Sequence, residues 1–363
     1  MKYLNALNKI EGVGSQKLAL LMAHFDSSEK AWGAPLAELI GAGLSENLAG
    51  KIISERNSIN LDKEWEELEK EGISVISLED PAYPNLLKEI HNPPYILYAK
   101  GDLSLLNSTM IAVVGSRKST EYGSRVASSF GRELANSGIT VVSGLALGID
   151  AIAHAGALEA KGKTVAVLGN GLDEKSIHPR SNFELSQEII RSGGLLLSEY
   201  PAGTSPLPGS FPARNRIMAG MSLGTLVVEA ALDSGSLITA NLALDFNREV
   251  FAVPGPIFHL QSQGPHMLLR KGAKLAASVS DILEEISFVE TLKSSTKTSK
   301  KDTYEPASKE ERGVLDVLGQ ESVHVDIVVK LSKLETATAL STLAMLEIKG
   351  IIKNIGGQNY VKS

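Results

Sequence analysis

Six short runs in the middle of this chain are apolar almost throughout, and that feature does most to restrict the fold. Met110–Val114, Ile139–Val142, Thr164–Leu168, Leu195–Leu197, Thr225–Val228 and Val250–Val253 alternate with helical stretches between about residues 63 and 287. Strands without a polar face must be covered on both sides, which describes a parallel sheet flanked by helices. The expected class is therefore α/β. In such sheets ligands sit beyond the carboxyl ends of the strands, so the residues that end these runs are where function is to be sought.

The flanking segments follow other rules. Residues 1–62 carry short helical patterns such as Gln16 to Met22, interrupted by Gly12, Gly14, Gly41 and Gly43, and read as a small all-helical domain. Its turn Glu11 to Lys17 resembles a helix-hairpin-helix, whose glycines let backbone N–H groups reach a phosphate; a glycine-rich turn between packed helices reads the same way. Thr291 to Lys309 is rich in Ser, Thr and Lys and almost without apolar residues, so 288–309 is expected to be a linker. Beyond it, helices are expected over Glu311–Leu318 and Thr336–Lys349, with Val323–Asp326 between them. Ile351–Asn354 and Asn359–Val361 around Gly356 and Gly357 form a hairpin, so 310–363 is expected to be a winged-helix domain. The helix from Thr336 carries too few cations to read a duplex, which favours protein docking or a structural role.

Composition sets limits. With 363 residues, 43% hydrophobic and 21% charged, the chain has the make-up of an ordinary globular protein of two or three domains. Its formal charge of −6 confines any nucleic-acid site to a local cluster. There is no cysteine, which excludes disulfides, thiolate metal sites and Cys nucleophiles. No stretch reads as a signal sequence or membrane span, so the expected compartment is the cytoplasm, without membrane insertion. No His/Asp/Glu set has metal-ligand spacing and no phosphate loop of the Walker type occurs, so no metal, cofactor or ATP use is expected.

The strand ends hold the candidates. Gly115, Ser116 and Arg117 follow the first run, offering a close backbone approach, phosphate-bonding N–H groups and a guanidinium, or alternatively a capped helix start with a surface arginine. Ser143 and Gly144 end the second. The loop through Gly148 departs from the dinucleotide fingerprint, which argues against a nicotinamide enzyme. Asp150 and His154 lie four apart on one helical face, where they can act as acid and base or simply bond to one another. Past the third run, Arg180, Asn182 and Phe183 combine a cation with an aromatic ring, as single-strand binders do, although Phe183 can equally anchor a helix to the core. Arg214, Asn215 and Arg216 bring two guanidiniums together, which requires an anion between them, with Glu229 or a phosphate as candidates. Ser234, Gly235 and Ser236 open a helix with donors suited to phosphate.

Taken in order, these pieces resemble the DNA-processing protein A (DprA/Smf) family. The resemblance rests on Asp80 to Pro84, Asn92 to Tyr98, Gly115-Ser116-Arg117, Ser143 to Ala146, Gly148 to Asp150, Phe211 to Ile217, Val228 to Ala230, Ser234 to Ala240 and Val253 to Gly255. It implies an extended Rossmann-like core that binds single-stranded DNA, forms a homodimer and loads a RecA-type recombinase during DNA uptake or recombination, without catalysis. It also implies that Arg117 and Arg180 contact phosphates and that Phe183 packs against a base. Leu147, Asn170 and His178 depart from the residues usual at their positions. The alternative is a nucleotide phosphoribohydrolase of the lysine-decarboxylase-like group. Here, though, Ala219 to Glu229 lacks the leading Pro-Gly-Gly and sets Glu229 one residue too far from Thr225. One residue along a strand turns a side chain to the opposite face.

Overall fold

The computed structural model describes residues 1–286, 308–318, 323–349, 351–354 and 357–362. Of the linker expected over 288–309, residues 288–307 lie outside the described residues, as does Gly356 of the hairpin, while Ser308 and Lys309 cap and begin a helix. The chain divides into two units, Met1–Ser287 and Phe288–Ser363.

In the first unit the described residues form a sheet of nine strands, ordered β1-β2-β6-β5-β4-β3-β7-β8-β9. These are β1 (Ser74–Ser77), β2 (Ile96–Gly101), β3 (Met110–Val114), β4 (Thr140–Ser143), β5 (Thr164–Leu168), β6 (Leu195–Ser198), β7 (Gly224–Val227), β8 (Glu249–Ala252) and β9 (Lys274–Leu275). From β6 to β9 every pairing is parallel, as the apolar runs require, whereas β1 and β2 add an antiparallel edge that the apolar pattern does not mark.

Side chains alternate between the faces of the sheet. Ala112 and Val114 of β3 meet one core with Ile217 and Met218 of α11 (Ser210–Met221) and Leu237 and Ala240 of α12 (Ser236–Asp245), taking α1–α13 in chain order. Ile111 and Val113 meet the opposite core with Phe130 of α8 (Glu121–Asn136) and Ala153 of α9 (Ile149–Glu159). The N-terminal helices, α1 (Lys2–Lys9) through α6 (Leu61–Lys70), share a third cluster with the sheet, in which Leu4, Leu7, Leu18 and Ile52 pack with Tyr98, Leu168 and Leu196. The buried Tyr98 hydroxyl seals that contact by donating to Asn5 Oδ1 at 2.8 Å.

The second unit has helices Lys309–Val317, Val325–Ser332 and Thr336–Ile348. Its described strands form a three-stranded antiparallel sheet in which Asn359–Lys362 lies between Val323–His324 and Ile352–Asn354. That is a winged-helix arrangement. Of Val323–Asp326, expected between the two helices, Val323–His324 is a strand and Val325 and Asp326 begin a middle helix, whose N-terminus is capped by the His324 side chain accepting from the Asp326 N–H. Among the described residues no helix is long and apolar enough to cross a membrane.

Candidate functional site

The order of strands reverses at β3. The chain adds β4, β5 and β6 on one side and then returns to place β7 and β8 on the other, so the loops leaving β3 and β7 diverge. A crevice opens at such a switch point. Here it is a cleft of about 720 Å³ whose lining includes Ser116, Arg117, Lys118, Arg214, Ser234, Gly235, Ser236 and Thr239. A recess of about 80 Å³ adjoins it, lined by Arg117, Gly144, Leu147, His178, Pro179 and Phe211 among others.

Arg117 lines both the cleft and the recess, and Arg180 follows Pro179 of the recess in sequence. Arg117 is exposed, its guanidinium lies 5.4 Å from the Phe211 ring centroid, and no carboxylate among the described residues pairs with it. Gly115 and Ser116 serve that loop. A Cβ on Gly115 would come within 2.7 Å of Ile149, and the Ser116 hydroxyl closes its own turn, accepting from the Lys118 N–H at 3.1 Å and donating to the Lys118 carbonyl at 3.0 Å. Arg180 is also exposed; it donates to the Glu174 carbonyl at 2.7 Å and lies 4.4 Å from the Phe183 ring centroid. Phe183 is half-buried against the cluster shared with the N-terminal helices, so it anchors α10 (Phe183–Arg191) while keeping one face under Arg180. The Asn182 amide donates to the Leu145 and Ala146 carbonyls at 2.9 and 3.2 Å, tying the loop after β4 to this turn.

Other candidates are turned inward. The buried Ser143 hydroxyl donates to the Val113 carbonyl at 2.6 Å, so it joins neighbouring strands instead of offering a donor to solvent. The Gly144 N–H is taken by the Asp150 carboxylate at 3.1 Å. A Cβ on Gly144 would sit 1.9 Å from the Arg214 guanidinium, and its absence lets the arginine cross this turn. Arg214 itself is 4% exposed and donates to the Val167 carbonyl. Burial pulls its pKa down to about 10, with Asp150 opposing and Arg117 adding to the effect. Burial pushes the Asp150 carboxyl upward, against the pull of Arg214 and of the Gly144 and Ala146 N–H groups.

The Asp150–His154 pair considered from spacing does not form. His154 Nδ1 lies 2.6 Å from Thr164 Oγ1, whose one proton already goes to the Val141 carbonyl at 2.7 Å, so Nδ1 is the donor and Nε2 is bare. Burial, followed by the nearby Arg214 charge, drives the His154 pKa down to about 3 and keeps the ring neutral. Nor does Glu229 bridge the arginines. Its carboxylate accepts from the Thr120 N–H and hydroxyl at 2.9 and 2.5 Å and fills the space above Gly123, at the start of α8. Arg216 instead forms a two-pronged pair with Glu199 at 2.7 and 2.6 Å and also donates to the Asn92 carbonyl. The Asn215 amide donates to the Gly235 carbonyl at 3.3 Å, joining α11 to the start of α12, where the Ser234 and Ser236 hydroxyls lie 2.8 Å apart.

Sequence reasoning passed over three members of this region. Lys118 is exposed on the cleft and was visible as a cation beside Arg117. Phe211 was quoted only within a motif, although an aromatic ring between a Pro/Gly loop and a helix is a platform for a guanidinium. Glu199, the partner of Arg216, gave no signal, because nothing local marks a contact across 17 residues.

The family model for DNA recombination-mediator protein A matches residues 74–287, and that for the DprA winged helix domain matches 298–358. This chain belongs to the DNA recombination-mediator protein A family. It is 35% identical to Protein Smf of Synechocystis over 99% of this chain and 98% of that protein. It is 40% identical to Protein Smf of Escherichia coli over 88% and 85%, respectively. The X-ray structure of DNA processing protein A from Streptococcus pneumoniae superposes with a TM-score of 0.68 at 36% identity, covering 78% of this chain and 98% of that one. The corresponding protein of Helicobacter pylori, whose structure concerns its single-stranded DNA binding mode, gives 0.53 at 34% identity over 59% and 95%. With these relatives the mixed α/β sheet and winged-helix architecture is that of the family.

Proposed function

We propose that this chain binds single-stranded DNA across the carboxyl ends of its parallel strands and, as a cytoplasmic homodimer without catalytic activity or cofactor, delivers it to a RecA-type recombinase during DNA uptake and recombination. The observation that carries this reading is the pair of exposed arginines, Arg117 and Arg180, each on an aromatic face and neither with a carboxylate partner among the described residues. Cations that track a backbone beside rings that stack bases are the parts that bind single strands without regard to sequence. Gly115 and Ser116 shape the Arg117 loop, and Asn182 holds the Phe183 turn against the loop after β4. The Helicobacter pylori relative, described as a single-stranded DNA binder, supports the same reading.

The phosphoribohydrolase alternative is not favoured. Glu229, the carboxylate it would need, is buried against Thr120 at the start of α8. Fluorescence anisotropy with single-stranded and duplex oligonucleotides, run beside an assay for base released from nucleoside monophosphates, tests both readings. Preference for the single strand with no released base is expected; equal affinity for duplex, or base release lost in Glu229→Gln, would overturn the reading. For the recombinase step, stimulation of RecA-type ATP hydrolysis on DNA coated with single-strand-binding protein is the measurement, and no stimulation would remove that part alone.

A further inference from the structure

Arg117 and Arg180 stand on loops that leave different strands, β3 and β5, and one segment, 143–148 after β4, is fastened to both. At its far end Gly148 presses on the first loop. A Cβ there would come within 2.3 Å of the Ser116 carbonyl oxygen and 2.8 Å of the Arg117 carbonyl carbon. The next residue, Ile149, donates its N–H to the Ser116 carbonyl at 3.1 Å. In its middle the segment meets the second loop, where the Asn182 amide, between Arg180 and Phe183, bonds the Leu145 and Ala146 carbonyls. Arg180 is held by its own turn, through the Glu174 carbonyl and the Phe183 ring, so it stands wherever that turn is fixed. The Asn170 amide holds the same turn further back, at the Ser176 carbonyl, which makes Asn182 the tie nearer the cation.

Between these two attachments the segment is not slack. Leu145 is buried with φ +56°, a left-handed conformation uncommon for a residue other than glycine. Such conformations persist where the surroundings over-determine them, and they gather at functional sites. Here the surroundings are the Ser143 hydroxyl on the Val113 carbonyl, the Asp150 carboxylate on the Gly144 N–H, and the Ala151 N–H on the Ala146 carbonyl at 3.2 Å. We propose that segment 143–148 is a rigid spacer that sets the distance between Arg117 and Arg180, so that both cations engage one strand at once. Asn182 is the positioning residue at its second attachment and does not itself touch the DNA. The inference rests on the single-stranded DNA reading above. Two contacts on one ligand reinforce each other only when their separation matches it, and a spacer that yields leaves each contact to act alone.

The test uses the full chain. A labelled single-stranded oligonucleotide is titrated by anisotropy over a range of salt concentrations with the parent, Asn182→Ala, Arg180→Ala and the double variant, each held below its melting temperature. Asn182→Ala is expected to weaken binding roughly tenfold, as coupled residues in one network do. It should also flatten the salt slope by most of the roughly 0.7 that one single-strand phosphate contributes, although both arginines remain. The double variant should bind no more weakly than Arg180→Ala alone, because the two changes remove the same contact. Gly148→Ala acts from the other end and should show the same pattern against Arg117→Ala; its melting temperature reads whether it folds, and where it does not, Asn182→Ala decides. A folded Asn182→Ala with parental affinity and slope would overturn the proposal, even with a lowered melting temperature, since Asn182 would then be structural only. Losses that multiply in the double variant, with the slope of Asn182→Ala unchanged, would also overturn it, that being the pattern of a neutral amide in direct contact with DNA. Failure of the DNA-binding reading looks different: Arg180→Ala then leaves affinity and slope as in the parent, and the spacer falls with it.

Discussion

Arg117 and Arg180 on the surface and Arg214 and Arg216 further inside are chemically identical side chains put to opposite uses. The surface pair is exposed and rests on aromatic faces, with no carboxylate partner among the described residues. Of the inner pair, Arg214 is buried and Arg216 partly so. Arg214 lies across Gly144 near Asp150, and Arg216 is held on both arms by Glu199. Arg216, bonded at both arms and largely removed from water, has little left to offer a phosphate, whereas a guanidinium stacked on a ring keeps its donors pointing outward. Counting arginines near strand ends therefore overstates the binding surface. What separates the classes is whether an acid from elsewhere in the chain reaches the cation first.

The comparison breaks most visibly in stability. Replacing Arg216 by Met leaves the Glu199 carboxylate buried without its partner, which should cost about 3–5 kcal/mol and lower the thermal midpoint sharply. A calorimetric midpoint within experimental error of the parent would mean that the inner pair is not structural. The next effect concerns pH. His154 has a folded pKa near 3, against 6.5 as its ordinary value, so between those values the unfolded chain takes up a proton that the folded chain excludes. Its contribution is present in full above pH 6.5 and is lost as pH falls through that window, amounting to about 2 kcal/mol by pH 5. Burial raises the pKa of Asp150, which works in the other direction, so the pH dependence of the parent protein combines the two. His154→Asn, which keeps a donor for Thr164, should flatten the decline in urea-derived stability from pH 7 to pH 5, and an unchanged slope would show that His154 is not buried neutral.

What the sequence displayed and what it hid follow the same division between local and distant contacts. Strands β3 to β8 were legible because both faces are buried and the residues are apolar regardless of which helix covers them. β1 and β2 escaped notice: Ser74–Ser77 has one buried residue in four, and Ile96–Gly101 follows a Pro-Pro pair that reads as loop. Val325–Ser332 is helical despite three valines and an isoleucine, because tertiary packing of Val325 and Val328 overrides β-branched preference. Gly115 and Arg117 line the switch-point cleft, and Arg180 lies over the Phe183 ring three residues on, a contact local in sequence. The partners of Arg214, Arg216, His154 and Glu229 were not legible, since each is set by a strand or loop distant in sequence.

Phe183 tests the boundary between the two regions, because it is partly core and partly platform. Phe183→Ala should lower DNA affinity by about 1–3 kcal/mol if a base stacks there. It should also reduce stability, since the ring packs on the cluster shared with the N-terminal helices. Phe183→Leu restores much of the packing but not the aromatic face. Recovery of the melting temperature without recovery of affinity would assign the face to DNA, while recovery of both would make Phe183 an anchor only.

The smallest expected effect is the most specific. Neutralising a phosphate releases condensed counterions, so the logarithm of affinity falls with the logarithm of salt concentration in proportion to the phosphates contacted. If Arg117 and Arg180 each hold one, Arg117→Ala and Arg180→Ala should each flatten that slope by roughly 0.7 on single strands. The loss should be alike for different base sequences, because phosphates carry no sequence information. Both side chains are exposed, so stability should stay within about 0.5 kcal/mol. Lys118 stands beside Arg117 on the same cleft and can take over part of its contact, which would shrink the single-variant change. The Arg117→Ala, Lys118→Ala pair should then restore the full step. A folded Arg117→Ala, Arg180→Ala double variant with normal affinity and slope would place the strand elsewhere. The next surface to probe would be the turn from Gly12 to Lys17, which lines a separate cleft of about 760 Å³ with Tyr200 and Arg216. There the cation is already committed to Glu199, so binding at that turn would have to depend on Lys17 and backbone N–H groups, and a Lys17→Ala variant would carry the salt effect that Arg117 had lost.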